Sequence, residues 1–305
     1  MKRTVFTFVF AVLAFSIAVG QETKNSEDNT VTLNLKYKEG HYYINSDING
    51  VPANMMIESG AYGLTIDSKF YEKHKDELRL NLKETNIKLR FLTKTYNVNL
   101  VGRAVVKIGN IVYRGRIYVV EKLGKILLPV QYLINEKDRS SIVRLDLKAL
   151  KMSLLSRNRL AQDTIGCNSF PLYKMERSLY PAIYTHLTLF TQYKTVQMDG
   201  KFVVDLGNAG LLYISNSNDT VAKMIETNEL KLLPVKDKSG KVVSKGLYAD
   251  QCAIAGYTFR NVSIGVTDMF ADVAGMLGLK FFETPVILDF SRKRFYIKPN
   301  ECVFP

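Results

Sequence analysis

Short runs of alternating apolar and polar residues, bounded by turn residues, dominate this chain. Val31-Thr32-Leu33-Asn34-Leu35 alternates strictly, and Tyr42 to Ile48, Val98 to Val106, Val196 to Val204, Val262 to Val266 and Phe295 to Lys298 repeat the texture. A two-residue period sends successive side chains to opposite faces, as half-buried β-strands require. Asn49-Gly50 predicts a hairpin turn after the second run, and Asp199-Gly200 predicts another in the second half. Helical patterning is confined to Ser68 to Leu80, with Asp67 or Ser68 as cap, and Thr220 to Leu230, capped by Asn218 or Asp219. The chain is predicted to be mainly β, with small helices.

The pattern repeats. The run Ala53-Asn54-Met55-Met56-Ile57-Glu58-Ser59-Gly60 is followed by Leu64-Thr65-Ile66, and Lys201-Phe202-Val203-Val204-Asp205-Leu206-Gly207 by Leu212-Tyr213-Ile214. Glu58 and Asp205 are 147 residues apart, and so are Gly109 and Gly256, which close similar apolar runs. Ile126-Leu127-Leu128-Pro129 matches Gly275-Met276-Leu277-Gly278, and Val143 to Leu147 matches Val286 to Phe290. Four landmarks in one order predict two homologous units. The expected division is a first lobe at 31–157 and a second at 158–305, with the junction near Ser156 to Asp163.

Lys2 and Arg3 precede an apolar run from Val5 to Val19, which ends in Ala18-Val19-Gly20 before Gln21. This reads as a secretory signal peptide over 1–20, followed by a disordered segment over 21–30. The run is too short for a membrane span. The expected location is therefore periplasmic or extracellular. The 305 residues carry 42 Lys and Arg against 29 Asp and Glu, a net charge of +13. Loss of Lys2 and Arg3 lowers it to +11. The remaining basic residues are spread among strands and turns, so the charge reads as a solvated surface and no nucleic-acid partner is expected. Three Cys and three His, with no paired spacing, predict neither a metal site nor any cofactor. Cys167, Cys252 and Cys302 are compatible with one bridge and a free thiol, or with three free thiols.

The chemistry lies in the duplicated loop. An acid ending an apolar strand, followed by x-Gly, lets the chain turn tightly and bring backbone N–H groups to the carboxylate. Two such loops meeting at a pseudo-twofold axis would press two carboxylates together, so that they share a proton and can act as acid and base on a peptide carbonyl. In these loops and in the ending Gly275 to Phe282, Val286 to Phe290 and Arg294 to Ile297, the sequence resembles aspartic proteases of the pepsin and retropepsin type. The ending is similar to the lobe end of exported bacterial retropepsin-like proteins, and the resemblance covers roughly residues 31 to 299. The resemblance implies two homologous acid-protease-like β-barrel lobes in one chain, acting as a monomer on extended peptide or protein substrates. It implies Glu58 and Asp205 as the catalytic pair, with Ser59, Gly60 and Gly207 supporting their loops. It also implies a flap hairpin from Ile87 to Val101, with Phe91 or Tyr96 as its aromatic.

The sequence departs from the family at three places. Glu58 stands where the family has Asp, Leu206 where it has Thr or Ser, and Pro129 where it has Gly. Each affects a different part of the site: the reach of one carboxyl, the hydroxyl bond between loops, and the strand end beneath them. Three readings follow. The chain is an aspartic-type endopeptidase, weak or inactivated; a non-catalytic peptide-binding module of the same fold; or an exported β-rich protein without a cleft function.

Overall fold

The structure is a computed structural model and describes residues 29–90, 95–174, 180–236, 239–269 and 271–303. Residues 1–28, which hold the expected signal peptide and most of the segment expected to be disordered, lie outside the described residues.

Alternating segments form strands, and their turn chemistry sets the hairpins. His41–Ile48 and Val51–Glu58 pair antiparallel across Asn49-Gly50. Both turn residues have positive φ, 51° and 90°, the backbone a tight hairpin of matching twist demands. Asp199-Gly200 behaves differently from its prediction. It lies inside the strand Thr195–Val204, opposite Thr185 and His186 of Pro181–Phe190. The turn sits earlier, where Thr191 N donates to Lys194 O at 3.0 Å. The glycine is there for space: a Cβ on Gly200 would stand 2.4 Å from Ala274 Cβ.

Each half then makes the same crossing. In the first, Val51–Glu58 runs parallel to Ile126–Pro129, while Leu64–Asp67 pairs antiparallel with Ile126–Pro129 and parallel with Ile111–Val120. In the second, Thr195–Val204 runs parallel to Gly275–Leu277, while Leu212–Ser215 pairs antiparallel with Gly275–Leu277 and parallel with Tyr257–Thr267. Each crossing delivers an acid at the end of its first strand. The helix after it is Ser68–Leu78 in one half and Asp219–Glu226 in the other, with Asp67 and Asn218 as N-caps. A third helix, Arg157–Asp163, capped by Ser156, occupies the stretch read as the junction.

The halves are joined by a shared six-stranded sheet. Its order is Val31–Lys38, Lys151–Leu154, Ile142–Asp146, Val286–Asp289, Arg294–Ile297, Asn168–Lys174. The central pair is antiparallel, with Arg144 opposite Ile287. Those two residues are 143 apart, as are Asp146 and Asp289 of the matched motifs. The pseudo-twofold axis of the repeat therefore passes between Arg144 and Ile287. Above this sheet one continuous apolar core takes side chains from both halves, including Ile57, Leu128, Leu206, Leu277 and Leu288.

Candidate functional site

The two acid loops meet on the pseudo-twofold axis. Glu58 is the last residue of its strand, and Asp205 follows directly on Val204. Both side chains are buried, at 6% and 4% exposure. Their carboxyl groups hydrogen-bond to each other. The pairing expected from the duplicated motif is thus present in the geometry.

Backbone N–H groups hold each carboxyl, unequally. Glu58 Oε1 accepts from Ser59 N at 3.0 Å and Gly60 N at 2.7 Å. Asp205 Oδ1 accepts from Gly207 N at 2.8 Å. Burial raises both pKa values from their ordinary values, and the charge of Glu58 raises Asp205 further, well above its own. The two backbone donors and the Lys125 ammonium work the other way on Glu58. The two carboxyls are therefore a coupled pair that shares one proton.

Ser59 ties the loops together. Its hydroxyl donates to Val204 O at 2.7 Å and accepts from Leu206 N at 2.9 Å. Leu206 has no hydroxyl to return that bond, and its side chain is buried in the core instead. Pro129 changes the strand end beneath Glu58, to which it is paired in parallel register. In the second lobe Gly278 N donates to Leu211 O at 2.9 Å, and a Cβ there would stand 2.4 Å from Gly210 O. Proline has no N–H for the matching bond.

The two glycines expected in support are required by contact. A Cβ on Gly207 would fall 1.8 Å from Glu58 Oε2. The Glu58 carboxyl therefore lies directly over the second-lobe loop. A Cβ on Gly60 would fall 1.7 Å from the Tyr180 ring. The repeat would place Asp205 over Gly60, as Glu58 lies over Gly207; an aromatic ring packs there.

Tyr180 is a site residue the sequence reading missed. It is 6% exposed, and burial followed by the charges of Asp205 and Glu58 holds its phenol protonated, with its pKa well above the ordinary range. It stands just before Pro181–Phe190, and nothing in its local pattern marks it. Lys125 was also missed. Its one signal is a basic residue directly ahead of the apolar strand Ile126–Pro129.

The pair opens into a cleft of about 560 Å³ between the lobes, lined by Met56, Tyr96, Lys125, Tyr180, Tyr213 and Lys245 among others. Tyr96 belongs to the predicted hairpin, where Lys88–Arg90 pairs with the start of Thr95–Ile108 and Leu89 faces Tyr96. Phe91, the other aromatic proposed for that hairpin, lies outside the described residues. Cys167 and Cys252 are free thiols and neither lines the cleft.

No protein-family model matches the chain, and no curated sequence relative does. Solved structures do match. The chain is similar to basic 7S globulin from soybean, with 9% identity over 89% of this chain and 95% of that one, at a TM-score of 0.50. It is similar to conglutin gamma, a basic 7S globulin from lupine seeds, with 10% identity over 90% of this chain and 96% of that one, at a TM-score of 0.52. At such identities the likeness is one of fold, and it spans nearly the whole of each chain. Together with the duplicated crossings and the shared central sheet, it gives this protein a mainly β, two-lobed, pepsin-like fold.

Proposed function

We propose that the cleft of this protein binds an extended peptide segment and holds it without cutting it. The observation that carries this is the position of the Glu58 carboxyl. The extra methylene extends the side chain by about 1.5 Å relative to Asp. It lays Oε2 over Gly207, in contact with the opposite loop, and the carboxyl bonds directly to Asp205. Acid–base hydrolysis needs its two carboxyls placed to about an ångström around the attacking water. Here one of them reaches past that symmetrical position. Leu206 removes one hydroxyl from the support beneath, and Tyr180 packs where the twofold would put a carboxylate. The two seed proteins sharing the fold are named as globulins and not as proteases, which supports a use of this fold other than cutting.

A second reading, an aspartic-type endopeptidase using Glu58 and Asp205, is favoured by one observation. Both carboxyls remain, in contact and with raised pKa values, so a proton is available for transfer to a leaving group.

The test is to incubate the chain from Gln21 onward with a pool of unstructured peptides, from acid to neutral pH, beside Asp205→Asn and Glu58→Asp. The expected result is retention of peptides without new termini, with cleavage appearing only in Glu58→Asp. Cleavage by the native chain that disappears in Asp205→Asn would replace the binding reading with the endopeptidase one. Neither retention nor cleavage would leave the fold without a cleft function.

A further inference from the structure

A half-buried lysine stands in the cleft wall without an acid bonded to it among the described residues. In Ile126–Pro129 the side chains alternate: Ile126 and Leu128 enter the core, and Leu127 lines the cleft. Lys125, one position before the strand, lines the cleft beside Leu127. The paired strand Val51–Glu58 divides in the same way, with Met55 and Ile57 in the core and Met56 and Glu58 on the cleft wall. Lys125 therefore rises from a wall of Met56, Leu123 and Leu127, near enough to Glu58 for its charge to lower that carboxyl's pKa.

The ammonium donates to the Met56 sulfur at 3.5 Å, and a thioether is a weak acceptor. Glu58 does not pair with it directly: Oε1 accepts from Ser59 N and Gly60 N, and the carboxyl bonds to Asp205. The second lobe has no equivalent. Ile126 matches Gly275 in the repeat, so Lys125 matches Ala274, which is buried against Gly200. Leu127 matches Met276, which also lines the cleft. Lys245, a second lysine of the lining, is exposed, so water solvates its charge. The half-buried cation thus sits on the first-lobe side alone, among apolar neighbours.

We propose that Lys125 selects the ligand by binding the carboxylate of an Asp or Glu side chain, so that the cleft takes acidic peptides over neutral ones. A peptide lying along the cleft displaces water from the ammonium, and a cation left there without a partner is costly. A carboxylate replaces that water with a charge-assisted hydrogen bond, which salt screens little once the peptide covers it. A neutral side chain leaves the ammonium short of acceptors, and a basic one adds a like charge. This selection rests on the peptide-binding reading above.

The test uses the chain from Gln21 onward and acetylated, amidated decapeptides that alternate apolar and uncharged polar residues, with Glu, Gln or Lys at one central position. By titration calorimetry the Glu peptide should bind about tenfold or more tighter than the Gln peptide, and the Lys peptide weakest. In Lys125→Met the advantage of the Glu peptide should vanish, and in Lys125→Glu it should pass to the Lys peptide. A second measurement needs no variant. A carbodiimide joins the peptide's one carboxyl to a lysine amine in contact with it, leaving as its urea, and mass spectrometry of the native chain should place the new amide at Lys125. That result decides even where both variants fail to fold. Equal binding of the Glu and Gln peptides by the native chain, or an amide formed elsewhere or not at all, overturns the role of Lys125 while peptide binding stands. If the native chain binds none of the three peptides, the peptide-binding reading falls and the selection with it.

Discussion

Asp205 and Glu58 are buried against each other, and that burial has a pH signature. Both pKa values are raised, Asp205's well above its ordinary value, so the folded state holds a proton that the unfolded chain releases more readily. Their contribution to stability is therefore full below about pH 4, where unfolded carboxyls are protonated, and is lost as pH rises through the raised value. The thermal midpoint of the native chain should fall over that interval. Asp205→Asn should flatten the fall, because its amide donates to Glu58 without titrating. An unchanged slope in the variant would remove the shared proton from the account. The reach of Glu58 is testable separately. Gly207→Ala should cost about 1–3 kcal/mol, because the new methyl meets Oε2. The same substitution in a Glu58→Asp background should cost clearly less, since the shorter acid withdraws by one carbon. Denaturant titration of the four chains closes this cycle, and equal costs in both backgrounds would mean the clash is relieved elsewhere.

At the scale of elements, two loops from different halves are locked by one hydroxyl. Ser59→Ala strands Val204 O and Leu206 N in a buried setting at once. A loss of roughly 2–5 kcal/mol is expected by denaturant titration. Ser59→Thr keeps the hydroxyl and should recover most of it. The elements were legible in the sequence to differing degrees. The hairpin at Asn49-Gly50, the caps Asp67 and Asn218 and the strand-ending acids follow from local chemistry, and the structure places them as that chemistry requires. Asp199-Gly200 shows the limit. The pair is a turn signal by composition, yet Gly200 answers to Ala274, more than seventy residues away, and the strand runs straight through. Asp199 meets His186 at 3.0 Å across the hairpin. The helix Arg157–Asp163 has a proper Ser156 cap, but too short a period to separate it from a linker.

For the whole molecule, the shared sheet and the continuous core make the halves one folding unit. Leu288 is fully buried in the central pair, opposite Val143 of the other half. Leu288→Ala should cost about 2–5 kcal/mol and lower a single thermal transition without splitting it. Calorimetry that resolves two transitions, only one of them shifted, would show that the lobes unfold independently.

The sequence by itself determined the number of lobes, the strand that carries each acid and the identity of the carboxylate pair. These depend on periodicity, turn residues and duplication, which are written along the chain. Only the tertiary structure decided what surrounds the pair. Tyr180 against Gly60, the Lys125 charge acting on Glu58, the hydroxyl of Ser59 on the opposite loop and the carboxyl of Glu58 over Gly207 all join segments distant in sequence. Residue type fixes how far a side chain reaches, but the packing of one lobe on the other decides what it meets. That packing turned an expected symmetrical pair into an asymmetric one, with two backbone donors on one acid, a single donor on the other and an aromatic ring where the second acid's contact would be.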